Sequence, residues 1–125
     1  MEKALREALI ESIPELANNI YPTNAPETST KPYLVYTRNG TQKTKTLEGF
    51  TGNQTLRFIF SIMATKYSDM KSLANKVEDF LMSLPGTSIG TEGIYIQDLN
   101  INNVTEQYEH ELKVNRGIID FTIYF

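Results

Sequence analysis

A chain of 125 residues, 40% hydrophobic and 22% charged, has the size and balance of one globular domain spanning residues 1–125. Its formal net charge of −3 lacks the cationic excess that coating nucleic acid requires. The absence of Cys excludes disulfides, thiolate catalysis and cysteine metal sites.

No apolar run of signal-peptide type follows Met1-Glu2-Lys3, and no window reaches the roughly 20 apolar residues that span a bilayer. The expected setting is the cytosol, or a particle assembled there, with no membrane contact.

In chain order, Leu5, Leu9, Ile13, Leu16 and Ile20 recur at spacings of three and four, which predicts a helix over about residues 2–12. Pro14 interrupts it, because proline removes a helix hydrogen bond and clashes with the preceding turn. A separate short turn is expected after Pro14. The prolines of "YPTNAPETSTKP" favour an extended, irregular path. "PYLVYTR" then reads as a strand bounded by Pro32 and Asn39-Gly40.

"NGTQKTKTLEGFTGNQ", residues 39–54, is polar and glycine-rich and reads as a long loop between two strands. After it, Leu56, Phe58, Phe60, Ile62 and Ala64 alternate onto one core-like face. Arg57, Ile59, Ser61, Met63 and Thr65 form a mixed opposite face that something must partly cover. Residues 68–84 read as a helix, with Ser68 or Asp69 as its cap and Pro85-Gly86 as its stop. Met70, Leu73, Ala74, Val77, Phe80, Leu81 and Leu84 form its apolar stripe.

Two alternating segments close the chain. Ile94 and Ile96 share one face and Leu99 and Ile101 the other, so a bulge near Gln97-Asp98 is expected. Ile119, Phe121, Ile123 and Phe125 line one face of the last strand. The resulting expectation is an α+β fold in the order α-β-β-α-β-β. It has a four-stranded, mainly antiparallel sheet, two helices packed on one face, and the long loop between the first two strands.

Little in the chain points to chemistry. His110, the one histidine, lies between Glu109 and Glu111 and reads as a solvated residue, since a zinc site needs three or four ligands. The glycines at 40, 49 and 52 form no phosphate loop, and no serine sits in a nucleophile elbow. The expectation is therefore no enzyme, no catalytic residue, no metal and no cofactor. Phe58, Phe60 and Phe121 could stack bases, but core packing is the better reading because they fall on the core-like faces.

What remains is surface. Ile59, Met63, Ile118 and Tyr124 lie on a half-apolar outer sheet face and are candidates for a subunit interface. The alternative is a small α+β module that acts alone by binding a ligand or nucleic acid.

Taken together, several motifs resemble the tail-completion proteins of long-tailed bacteriophages and prophages. "IYPTNAPETSTKPYLVYTRNG" is similar to the family's Ile-Tyr-Pro, Ala-Pro and Pro-Tyr-x-Val-Tyr run. "LEGFTG" resembles its Leu-Asp-Gly-x-x-Gly element, and "ATKYSDMKSLANKVEDFL" its Thr-x-Tyr helix entry with Leu-Ala-x-x-Val. The ending, "EQYEHELKVNRGIIDFTIYF", is similar to its Tyr-containing turn and last strand. Phe50 and Thr51 depart from the Pro and Ser often found there, and Met63 stands in place of Trp.

The resemblance implies a virion structural protein without catalytic residues or cofactor. Such subunits form a ring, usually a hexamer, at the head-proximal end of the tail tube. The ring ends tube growth and joins tail to head. The implied partners are further copies of the chain, the tail-tube protein and the head connector protein. DNA would pass through the ring without sequence-specific binding, and the free subunit can be monomeric. The long loop becomes the expected assembly loop, with Lys43, Lys45, Leu47, Glu48, Gly49, Phe50 and Gly52 as its working residues.

Overall fold

A computed structural model describes residues 2–17, 19–22, 32–46, 49–110 and 113–125. The first helix, α1, runs Glu2–Ser12, and a single 3-10 turn follows over Pro14–Leu16. Pro14 takes the first position of that turn, where its missing N–H leaves no acceptor unpaired. Leu5, Leu9, Ile13 and Leu16 are all buried, as their spacing predicts.

Seven strands follow among the described residues: β1 Ile20–Pro22, β2 Tyr33–Thr46, β3 Gly49–Ala64, β4 Ser88–Ile89, β5 Ile94–Tyr95, β6 Asp98–Glu109 and β7 Val114–Tyr124. The second helix, α2, spans Tyr67–Met82 between β3 and β4. The main sheet has five strands in the order β1-β2-β3-β7-β6, and β4 and β5 pair as a separate small sheet.

This architecture corrects the expected one. The sheet has five strands instead of four, and it is mixed, because β1 pairs parallel with β2 while the other pairs are antiparallel. β1 leaves little trace in the sequence: three residues are too few to show alternation, and Pro22 is tolerated because it lies on an edge strand. The expected bulge near Gln97-Asp98 is instead a break between β5 and β6, and the register shift within β6 lies between Ile101 and Asn103.

The expected long loop is also overturned. β2 and β3 stay paired as far as Thr46 opposite Gly49, with register shifts between Arg38 and Thr41 and between Lys43 and Lys45. Polar composition suggested a loop because no face there has anything to bury. Two strands that leave the core together need no apolar face, since each satisfies the other's backbone groups.

The core lies on one face of the sheet. Leu56, Phe58, Phe60, Ile62 and Ala64 of β3 and Ile119, Phe121 and Ile123 of β7 are each at most 2% exposed. Phe121 stacks on Phe58 with centroids 5.7 Å apart and meets Phe60 edge-on at 4.8 Å. Full burial of each ring contributes about 1.5–3 kcal/mol. Base stacking on these rings is therefore not available.

α2 packs on this face through Met70, Leu73, Ala74, Val77, Phe80 and Leu81, and Leu84 just beyond it is buried as well. The helix begins one residue before the expected cap, with Lys66 at the cap position and no side-chain cap bond. Asp69 lies in the first turn, where a carboxylate favours the positive end of the helix dipole. Gly117 lets α2 approach β7: a Cβ there would lie 2.9 Å from Met70 Sδ and 3.5 Å from Ala74 Cβ.

Candidate functional site

The sheet face opposite the helices is built by the other half of each strand's alternation. β3 and β7 pair with Ser61 opposite Ile118, Ile59 opposite Asp120 and Arg57 opposite Thr122. Along β7, this places Ile118 between Arg116 and Asp120. Ile59 and Ile118 are half-buried, and both belong to this face. Met63 shares it but is 7% exposed and offers a partner little surface. Tyr124 lies at the far end, opposite Thr55.

Ion pairs frame this apolar strip. Arg57 Nε donates to Asp120 Oδ1 at 2.9 Å and Arg57 Nη2 to Oδ2 at 2.5 Å, a two-pronged clasp between β3 and β7. The clasp holds the Asp120 carboxyl below the usual carboxylate range, and the Asn102 amide, 3.3 Å from Oδ1, adds to this. Asn102 is the extra residue at the β6 register shift, and it also donates to Thr122 Oγ1 at 2.9 Å. Beyond Ile118, Arg116 Nη2 meets Glu109 at 2.8 Å and lies 3.8 Å from Met63 Sδ.

A second polar cluster ties α2 to β6. Glu106 accepts from Tyr67 Oη at 2.7 Å and from Lys71 Nζ at 2.6 Å. The two donors, Lys71 first, lower the Glu106 carboxyl, and the hydrogen bond to Glu106 raises the Tyr67 hydroxyl. Nearby on the same strand, Val104 and Tyr108 are exposed. His110 stands edge-on to Tyr108 with centroids 4.9 Å apart. Among the described residues, no group of three or more His, Asp and Glu side chains is placed to hold a metal ion.

The residues expected in an assembly loop are placed differently. Lys43 and Lys45 lie on β2, and Gly49, Phe50 and Gly52 on β3, within a two-stranded arm. Leu47 and Glu48 lie outside the described residues. The last row of the arm held by a third strand is Gln54, whose backbone exchanges hydrogen bonds of 2.7 and 2.9 Å with Phe125. Lys43 pairs with Gln54, so the rest of the arm extends roughly 10 Å past that row at about 3.3 Å per residue.

Sequence reasoning could not say which strands carry the two open edges. Among the described residues, β1 covers β2 only over Leu34–Tyr36, and β6 pairs only with β7. The signal was present in the charges: Arg38, Lys43 and Lys45 fall on one edge strand, and Asp98, Glu106 and Glu109 on the other.

Comparison with family models and with solved structures finds matches. A family model described as "Tail completion protein gp17" matches residues 3–125. Among solved structures, the chain is similar to a chain of the "Virion of native gene transfer agent (GTA) particle", with a TM-score of 0.68 and 15% identity. The alignment covers 97% of this chain and 93% of that one, a likeness of fold. The comparison with curated proteins finds no match.

Proposed function

This chain belongs to the tail completion protein gp17 family, a family of structural phage virion proteins, and we propose from this that it forms a ring closing the head-proximal end of a tail tube. The ring ends tube growth and joins tail to head. The family match over nearly the whole chain carries this reading.

The fold is suited to the task. A closed ring requires a heterologous contact, in which each copy offers two different patches. Among the described residues the sheet leaves two different edges open, one on β2 beyond Tyr36 and one on β6. The face carrying Ile59 and Ile118 adds apolar surface framed by ion pairs. The arm of β2 and β3 reaches away from the helices' core to contact the next component of the tail, either the tube protein below or the head connector above. DNA crosses the ring without sequence-specific contact. Assembly takes place in the host cytoplasm, and the finished subunit resides at the head–tail junction.

The experiment is reconstitution. The purified chain is mixed with its cognate tail-tube protein and followed by light scattering and negative-stain microscopy. Tubes capped at one end by a ring, with tube length no longer growing, are expected. A chain that stays monomeric beside tubes of unlimited growth would overturn the reading.

A further inference from the structure

We infer that neighbouring copies of this chain join strand to strand, the open distal edge of β2 in one copy pairing with the open edge of β6 in the next. The inference rests on the ring reading above and specifies the contact that closes it.

The edges are the starting observation. From Thr37 to Thr46, the outer edge of β2 has no partner strand among the described residues, and at the other end of the sheet the outer edge of β6 has none. Open edges present rows of unpaired N–H and C=O groups and invite another strand.

Strand direction fits. β2 is antiparallel to β3, β3 to β7 and β7 to β6, so β6 runs opposite to β2. Copies rotated about an axis along the strands keep these directions. β6 of one copy beside β2 of the next is then an antiparallel pair that continues the alternation of the sheet.

Charge selects this pairing over its competitors. The Thr37–Thr46 segment carries Arg38, Lys43 and Lys45 and no acid, whereas β6 carries Asp98, Glu106 and Glu109 and no base. Two β2 edges repel each other, as do two β6 edges, so a self-complementary dimer is disfavoured and a head-to-tail contact is favoured. Glu106 and Glu109 already meet Lys71 and Arg116 of their own chain. Asp98 is exposed, with its carboxylate accepting the N–H of Leu99. Through successive partners Gln42, Thr55, Tyr124 and Asp98, it lies level with Gln42, one residue from Lys43. Strand tilt in a closed ring adds a fixed stagger along the edge without changing which edges meet.

The absence of cysteine makes the test direct. Gln42→Cys is combined in turn with Asp98→Cys, Asn100→Cys, Asn103→Cys, Thr105→Cys and Gln107→Cys. Rings assembled with tail-tube protein are mildly oxidised and run on non-reducing gels. The expected result is a ladder of covalent oligomers ending at the ring size for one or two adjacent β6 positions, with no ladder from any single-Cys chain. Rings visible by microscopy but cross-linked at none of the five positions would overturn the edge pairing and leave the ring reading standing. Failure of the wild-type chain to form rings would remove the ring reading and this contact together.

Discussion

Ala4 of α1 and Gly90 of the turn between β4 and β5 meet with no room between them: a Cβ on Gly90 would lie 2.6 Å from Ala4 Cβ and 2.8 Å from its Cα. The turn is thereby clamped to the helix. Gly90 also has φ +75, a left-handed conformation that costs other residues about 1–2 kcal/mol. Gly93, with φ +67 and open space around it, carries the conformational penalty alone. Gly90→Ala should therefore destabilise by about 3 kcal/mol, adding an overpacking cost of about 1–3 kcal/mol, and Gly93→Ala by about 1–2 kcal/mol. Urea midpoints of the two variants check this; equal losses would show that the Ala4 contact yields freely.

The outer face should matter more to assembly than to folding. Ile59→Ser and Ile118→Ser remove half-buried side chains outside the main core, with an expected stability loss of about 1 kcal/mol each. Together they should abolish capping of tail tubes while leaving the circular dichroism spectrum unchanged. Normal capping by the double variant would exclude this face from the interface.

Acid sensitivity should reside in the carboxylates held by cations. Asp120 is lowered first by its Arg57 hydrogen bonds, and Glu106 first by Lys71. A lowered folded-state value means that the stabilisation is complete above the ordinary carboxylate range near pH 4 and is lost as pH falls through the lower folded value. Asp120→Asn removes its share, so stability should fall less steeply between about pH 5 and pH 2 than in the wild-type chain. Denaturant midpoints across that range decide it, and parallel curves would contradict the assignment.

The arm should be dispensable for folding. Its described distal part beyond Gln54 is paired only within itself. Deleting residues 41–52 should leave a cooperatively folding chain that no longer joins tails to heads. A wild-type yield of infectious particles from the deletion would refute a role for the arm.

The core could be read from periodicity alone. Alternation placed Leu56, Phe58, Phe60 and Ile62 on one face, and the helical spacing of Met70, Leu73, Val77 and Leu81 placed them on one stripe, because burial must follow the geometry of the element. The outer-face candidates Ile59 and Ile118 were legible in the same way. Whether each remains accessible was not: Met63 has the same parity as Ile59 yet lies covered at 7% exposure, with Arg116 folded against its sulfur.

The segment from Asn39 to Gln54 shows where pattern reading stops. Threonine, lysine and asparagine without an apolar stripe look the same in a loop and in a strand that leaves the core, since neither buries a face. Pairing of β2 with β3 depends on what lies across the strand, and that partner is found only in three dimensions. The parallel position of β1 beside β2 has the same origin, as three residues acquire a structure only from their neighbour.

By itself, then, the sequence determined which residues share the core-facing stripe of each element and which family motifs occur in order, because both depend on local spacing and residue type. The tertiary structure decided the fifth strand, the paired arm, the bidentate Arg57–Asp120 clasp and the two oppositely charged open edges. Each of these depends on residues distant in the chain meeting through backbone hydrogen bonds or charge, and no local pattern encodes which distant strand will be the neighbour.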